Sequence, residues 1–291
     1  NKKIYPDYKK KNINLNIFSA ELINKSMRFQ YFKNIQKIIK KKEPNIIFLD
    51  NDTVCMQSLI LIFWSFFFNY KINYFCNENN LINLFKSFSL KKLLKLCIIY
   101  FVNFIIKYKV NKIICYSNQI KDNYNFLGYK NKTKIIPLGF DKKIFFIKTK
   151  KKLKKKLVIS YFGRINKEKG IHVLIESLKY LKEYRWKLLI DSEHIEDFKY
   201  FLNLKNLIKK SKIKQRTKFI KCNHNQIANF MRKSDIIVLP SLYEEQYGRV
   251  IQEGVACGNV VVGSNIGAIP EIINDNHLLF KPGDYIALSV I

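Results

Sequence analysis

Residues Ser234 to Ile273 read SDIIVLPSLYEEQYGRVIQEGVACGNVVVGSNIGAIPEII. A β-rich run, Asp235–Ser241, gives way to the acidic loop Glu244-Glu245-Gln246-Tyr247, and Gly248 turns the chain into a helical pattern. A second β-rich run follows at Asn259–Asn265, so strand, helix and strand alternate as they do in a unit with parallel strands. Outward from this stretch the same alternation fills the chain from Pro44 onward. Candidate strands are Asn45–Asp50, Lys71–Asn77, Lys112–Ser117 and Lys134–Leu138, then Leu157–Gly163, Trp186–Ser192, Thr217–Cys222 and Leu278–Lys281. A lysine-rich stretch, Lys148 to Lys156, separates the two series. The expected fold is α/β, with two domains, residues 1–147 and 148–291, each incomplete at its chain end.

All ten glycines fall at Gly128 or later. Glycine after a parallel strand lets the backbone approach a phosphate closely, so any nucleotide chemistry belongs to the second half. There, Ser160 to Leu178 read SYFGRINKEKGIHVLIESL. A buried strand ends at Gly163, and Arg164 and Lys169 sit on the loop before a helix opened by Gly170. That loop lies at the carboxyl edge of a parallel sheet, where ligands bind in open α/β folds. The two cations can converge on one diphosphate, Arg as a bidentate fork and Lys as a point charge. The peptide N–H groups of Gly248, Arg249 and Val250 open a further helix and form an anion site of their own. Glu245 before that helix and Glu253 within it can each accept hydrogen bonds from a vicinal diol. The alternative is a solvated loop or helix residue for Arg164, Lys169 and Glu253, and an acid favoured at a helix N-terminus for Glu245. His172, early in the helix after the phosphate loop, reads as a partly buried helix residue.

Composition sets outer limits. The 291 residues are 48% apolar and 26% charged, which excludes a disordered polyelectrolyte and a collagen-like or disulfide-stapled miniprotein. A formal charge of +31 raises the prior for an anionic partner, but only six of the 53 basic residues are arginine. Such lysine excess also fits an AT-rich coding bias. Six scattered cysteines without a C-x-x-C pair read as reduced core residues of a cytosolic protein. Four histidines without ligand spacing make a zinc site unexpected. Asp50-Asn51-Asp52 matches an Asp-x-Asp metal motif, yet three residues recur by chance and lie in the wrong half. The apolar runs Val54 to Phe68 and Leu93 to Ile106 are shorter than the ~20 residues that span a bilayer and contain Gln57, Lys95 and Asn103. They read as buried helices, with a membrane-touching surface as the alternative.

Taken in order, Gly163-Arg164, Lys169-Gly170, Pro240-Ser241, Glu245 and Glu253 separated by seven residues, and Gly267-Ala268-Ile269-Pro270-Glu271 resemble the donor-binding half of the family-4, group 1 type glycosyltransferases of the GT-B fold. The resemblance runs from Leu157 to Gly283, and Ile135 to Asp141 is similar to the family's interdomain segment. It implies a GT-B-like α/β fold of two Rossmann-like, doubly wound domains facing across a cleft, and a metal-independent transfer, with retention, of a hexosyl group from a nucleotide-diphosphate sugar to the hydroxyl of a cell-envelope glycan or lipid-linked acceptor. It further implies that Arg164 and Lys169 neutralise the diphosphate and Glu245 holds the donor sugar. Glu253 would hold the ribose diol, and Gly163 with the amides of Tyr247, Gly248, Arg249 and Val250 would complete the donor cradle. The nucleotide sugar is a co-substrate, and no cofactor or metal is expected.

Three departures from the family's pattern bear on activity. No glycine loop precedes Gly128, Ile190-Asp191-Ser192-Glu193 stands where glycines are usual, and Phe75 to Asn80 stands where a His-containing loop is common. The alternative to an active transferase is therefore a truncated, catalytically dead protein that binds nucleotide sugar or polyanion. A basic, aromatic-rich first half suits the anionic face of a membrane, so a cytoplasmic protein, peripheral on the inner membrane face, is expected. No specific nucleic-acid partner is.

Overall fold

Short apolar runs punctuated by Gly, Pro, Asn or Asp become the strands of two parallel sheets. The computed structural model describes residues 22–23, 29, 31–50, 53–76, 90–148 and 156–291. It begins with an antiparallel pair, β1 (Leu22–Ile23) and β2 (Tyr31–Phe32), followed by helix α1 (Ile35–Lys42). Then β3 (Ile46–Asp50), β4 (Lys71–Cys76), β5 (Val110–Cys115) and β6 (Thr133–Ile135) form a four-stranded parallel sheet in that order. Between these strands lie α2 (Met56–Trp64), α3 (Leu90–Ile106) and α4 (Asn118–Tyr124).

The second sheet holds β7 (Leu157–Tyr161), β8 (Trp186–Asp191), β9 (Thr217–Ile220), β10 (Ile236–Leu239), β11 (Val260–Ser264) and β12 (Leu279–Phe280). Their order is β12-β11-β10-β7-β8-β9, and every pair is parallel. Helices α5 (Ile171–Ser177), α6 (Phe198–Lys210), α7 (His224–Lys233), α8 (Arg249–Ala256), α9 (Ile269–Ile273) and α10 (Tyr285–Val290) complete the alternation. The chain leaves β7 toward β8 and β9, then crosses back to place β10 on the other side of β7. Loops after β7 and β10 therefore diverge, and the crevice between them is a topological switch point, the usual ligand position in a doubly wound sheet.

Strand alternation supplies two cores. Ile159, Leu188 and Val238 face α5, α6 and α10, while Val158, Ile237 and Val261 face α7, α8 and α9. Phe145 is buried in the latter core, Phe140 and Ile144 pack against it, and Arg232 Nη1 donates to the Ile144 carbonyl at 2.8 Å. Segment 140–145, expected within the first domain, thus packs on the second sheet, because its apolar side chains find their partners there.

The reading of two buried helices needs correction. Helix α2 buries Leu61 and Ile62, and Asn103 and Ile106 of α3 are likewise buried. Their outer faces are not covered: Leu59 and Phe63 of α2 are exposed, as are Leu94, Phe101 and Phe104 of α3. Among the described residues, no helix is long and apolar enough to cross a membrane.

Candidate functional site

The reversal of strand order brings the loops after β7 and β10 to one cavity of about 780 Å³. Gly163, Arg164, Lys169, Glu245, Tyr247, Gly248, Arg249 and Val250 all line it. Glu253 is not among the lining residues; it lies half-buried in α8, one turn beyond Arg249. His172 lies away from the cavity, its Nδ1 2.7 Å from the Tyr200 hydroxyl, and burial lowers its pKa.

Loop geometry explains the convergence. Asn166 caps the 3-10 turn Lys167–Lys169 by accepting from the Lys169 amide at 3.0 Å. The Tyr161 hydroxyl donates to the Arg164 carbonyl at 2.7 Å, fixing the strand exit. Gly248 starts α8 at φ 75°, without a side-chain cap. A left-handed residue there turns the first helical amides toward the cavity, and glycine adopts it at least cost.

Arg164 and Lys169 are each engaged with a carboxylate. Lys169 Nζ lies 2.6 Å from Glu245 Oε1 and 2.9 Å from the Tyr243 hydroxyl. Ser241 Oγ donates to the same Oε1 at 2.6 Å, and Tyr243 donates to Oε2 at 3.0 Å. This cluster is mostly buried, with side-chain exposures of 14% for Lys169 and 9% for Glu245. Arg164 is more open: Nη1 meets Glu196 Oε1 at 2.7 Å, and Asn166 Nδ2 donates to Oε2 at 2.7 Å. Those two hydrogen bonds hold the Glu196 carboxyl below its ordinary range, and Glu196 in turn raises the Arg164 pKa. Burial pushes the Tyr243 phenol up, so it is neutral at physiological pH and donates.

Tyr161, Phe162, His194 and Tyr243 of the second half and Tyr116 of the first also line the cavity, and none of them was singled out from sequence. Ser241, Leu138 and Gly139 were read only as parts of motifs, and they too line it. Asp50, set aside above as part of a chance Asp-x-Asp match, lines the cavity as well, because it ends β3 at the carboxyl edge of its sheet. Asn51, Asp52 and the loop 77–80 lie outside the described residues, and among the described residues no cluster of three His, Cys, Asp or Glu could hold a metal ion.

The walls from the two sheets are tied together. Glu271 Oε2 accepts from the Asn118 amide at 2.7 Å and from its Nδ2 at 2.9 Å, and Oε1 accepts from the Gln119 amide at 3.1 Å. Gln119 Nε2 donates to Glu244 Oε2 at 2.8 Å, and the Tyr247 hydroxyl donates to the Leu138 carbonyl at 3.1 Å. A cavity lined by Arg164, Lys169 and Arg249, with an uncapped helix start and the hydrogen-bonding carboxylate of Glu245, is suited to an anion bearing hydroxyl groups.

The family model of glycosyl transferases group 1 matches residues 141–290, just over half of the chain. An uncharacterized glycosyltransferase of Methanocaldococcus jannaschii is 28% identical over 167 residues, 57% of this chain and 44% of that protein. The capsular polysaccharide biosynthesis glycosyltransferase CapM of Staphylococcus aureus is 27% identical over 216 residues, 67% of this chain and 54% of that one. The chain thus spans about half the length of these relatives. Anabaena HepE, solved in complex with UDP and glucose, superposes with a TM-score of 0.68 at 19% identity, covering 88% of this chain and 70% of HepE. That likeness identifies the architecture as GT-B.

Proposed function

Because this chain belongs to the group 1 glycosyltransferases, we propose that it moves a hexosyl group from a nucleotide-diphosphate sugar to an acceptor hydroxyl, with retention and without a metal ion. One observation carries the reading: Arg164, Lys169 and the start of α8 meet in a single cavity at the switch point of the second sheet. In the reaction the bond between the anomeric carbon and the diphosphate oxygen breaks, and its electron pair leaves with the phosphate. The acceptor oxygen forms the new bond and passes its proton to the departing diphosphate oxygen. Arg164, Lys169 and the amides of Gly248 to Val250 stabilise the departing charge, the contribution a divalent cation makes elsewhere. Glu245, oriented by Ser241 and Tyr243, holds hydroxyls of the donor sugar, and Glu253 is assigned to the ribose diol. An arriving diphosphate competes with Glu196 for Arg164 and with Glu245 for Lys169, so substrate binding rearranges both pairs.

The acceptor is assigned to a cell-envelope glycan or a lipid-linked sugar, and the protein to the inner, cytoplasmic face of an anionic membrane. The name of CapM and the charge of +31 support that assignment.

Melting curves with UDP, GDP and ADP test the donor site, since a ligand of the folded state raises its stability. At least one nucleotide is expected to raise the melting temperature, and release of that diphosphate from the matching nucleotide sugars then reports turnover. No shift with any nucleotide removes the donor assignment. A shift with no turnover across sugars and acceptors favours the catalytically dead binder.

A further inference from the structure

Helix α3 carries an outer face unlike the rest of this protein's surface. In a chain where 53 of 291 residues are Lys or Arg, every exposed described residue between 93 and 108 is apolar, aromatic or cysteine. Leu94, Ile98, Phe101 and Ile105 recur at helical spacing along one row, and Phe104 and Tyr108 stand beside them; Phe101 is 64% exposed and Tyr108 71%. Phe126, next to α4, extends the patch at 61% exposure. A water-facing helix surface ordinarily bears charged residues, and apolar patches of this continuity mark interaction sites.

What borders the patch points to its partner. Lys107 Nζ sits 4.2 Å from the Phe104 ring centre and 5.4 Å from that of Tyr108. Lys109 Nζ lies 4.2 Å over the ring of Phe66, which is itself exposed, and reaches the Ser65 carbonyl at 3.5 Å. Lys109 thereby joins the C-terminal end of α2 to that of α3. Aromatic rings with ammonium groups at their margin suit a bilayer surface: the rings enter the acyl boundary, and the ammonium groups stay at the level of anionic headgroups.

We propose that the outer face of α3, with Phe66, Lys107 and Lys109, is the surface by which this protein lies on an anionic lipid bilayer. The helix lies in the interface and does not span it, since its 17 residues fall short of the ~20 that cross the hydrocarbon core. This deepens the lipid-linked acceptor reading and rests on it, but the face is separate from the donor cavity, so the two fail separately.

The test uses the whole chain and vesicles of phosphatidylglycerol and phosphatidylcholine, with phosphatidylcholine alone as the comparison. Flotation is expected to recover the protein with the anionic vesicles. The double variant Phe101→Ser/Phe104→Ser is expected to lose roughly tenfold or more in partitioning, and Lys107→Glu/Lys109→Glu to weaken binding most at low salt. Phe101→Trp supplies a depth reporter: its emission should shift to the blue on vesicles and be quenched by brominated acyl chains. Because the serine variants alter exposed side chains, unchanged circular dichroism melting confirms that they fold. Binding that the serine variants leave intact, or an emission from the Phe101→Trp variant that brominated lipid leaves unquenched, overturns the proposal, because attachment is then by diffuse charge elsewhere. A dimer that forms without lipid and disappears in the serine variant overturns it in favour of a second copy.

Discussion

Lys169 and Glu245 stand 76 residues apart in sequence and form a mostly buried ion pair with an N–O separation of 2.6 Å. The pair exists because β7 and β10 are neighbours in the sheet, so the loops that leave their carboxyl ends share one crevice. Ser241 and Tyr243 satisfy further lone pairs of the carboxylate, which limits the cost of burying it. Removing one partner leaves the other charge uncompensated. Lys169→Ala and Glu245→Ala are each expected to lower stability by about 2–3 kcal/mol. The double variant should cost clearly less than the sum of the two. Chemical unfolding of the three variants checks this, and strictly additive losses would show that the pair is not coupled.

Arg164 is a different case, since it and Glu196 keep 52% and 42% of their side-chain surface exposed. An exposed ion pair contributes at most about 1 kcal/mol to folding. Arg164→Ala should therefore leave the melting temperature nearly unchanged, yet turnover should fall roughly a hundredfold or more, as when one transition-state charge donor is removed. Wild-type turnover in this variant refutes the leaving-group role.

Gly267 holds the backbone of Glu245 in place. A Cβ added at this position, where φ is 64°, would lie 2.5 Å from the Glu245 amide nitrogen and 2.7 Å from its carbonyl oxygen. The Ala268 amide also donates to that carbonyl at 3.0 Å. Gly267→Ala is expected to displace the Glu245 loop, costing about 1–3 kcal/mol in backbone strain and abolishing the nucleotide-induced rise in melting temperature. If the variant keeps both its stability and its nucleotide response, the loop is not held in this way.

The strands were legible in sequence because each is a short apolar run closed by a turn residue, as at Asp235–Ser241 and Leu157–Gly163. The convergence of Arg164 and Lys169 was legible from their place on one strand-to-helix loop, and that of Glu245 with them from the order of the motifs. Less local features were not. Periodicity marks α3 as apolar but cannot tell a helix buried all round from one whose second face lacks a protein partner. Asp50 lines the cavity only because one sheet edge faces another, and the carboxylate partners of the cations depend on loop conformation. Glu271 was read as part of a motif, while its hydrogen bonds to α4 cross 153 residues.

Those bonds make Glu271 a link between the two walls of the cavity. Its carboxylate accepts from the first two amides of α4, which have no intrahelical acceptor. Glu271→Ala should remove about 1.5 kcal/mol of charge-assisted hydrogen bonding, so hydrogen exchange at the Asn118 and Gln119 amides is expected to accelerate roughly tenfold. Glu271→Gln, which keeps an acceptor oxygen, should have a smaller effect. Unchanged exchange in the alanine variant means that the link does not persist in solution.

Asp191 closes β8 beside the site, buried at 4% exposure, and accepts from the Glu193 and Cys222 amides at 3.1 and 3.3 Å. Burial raises its pKa despite those two bonds, and burial likewise pushes the neighbouring Cys222 thiol up to about 12. The folded carboxyl therefore binds its proton more tightly than the unfolded one, whose pKa is about 3.9. Below that value both states are protonated and the group favours folding in full; as pH rises through the folded pKa, that contribution is lost. Asparagine keeps an oxygen for the two amides and carries no charge. Asp191→Asn should thus melt higher than the wild type at pH ~7, with the difference shrinking toward zero below pH ~4. Differential scanning fluorimetry across that interval decides the matter, since a variant less stable at neutral pH would mean that the ionised carboxylate is itself stabilising.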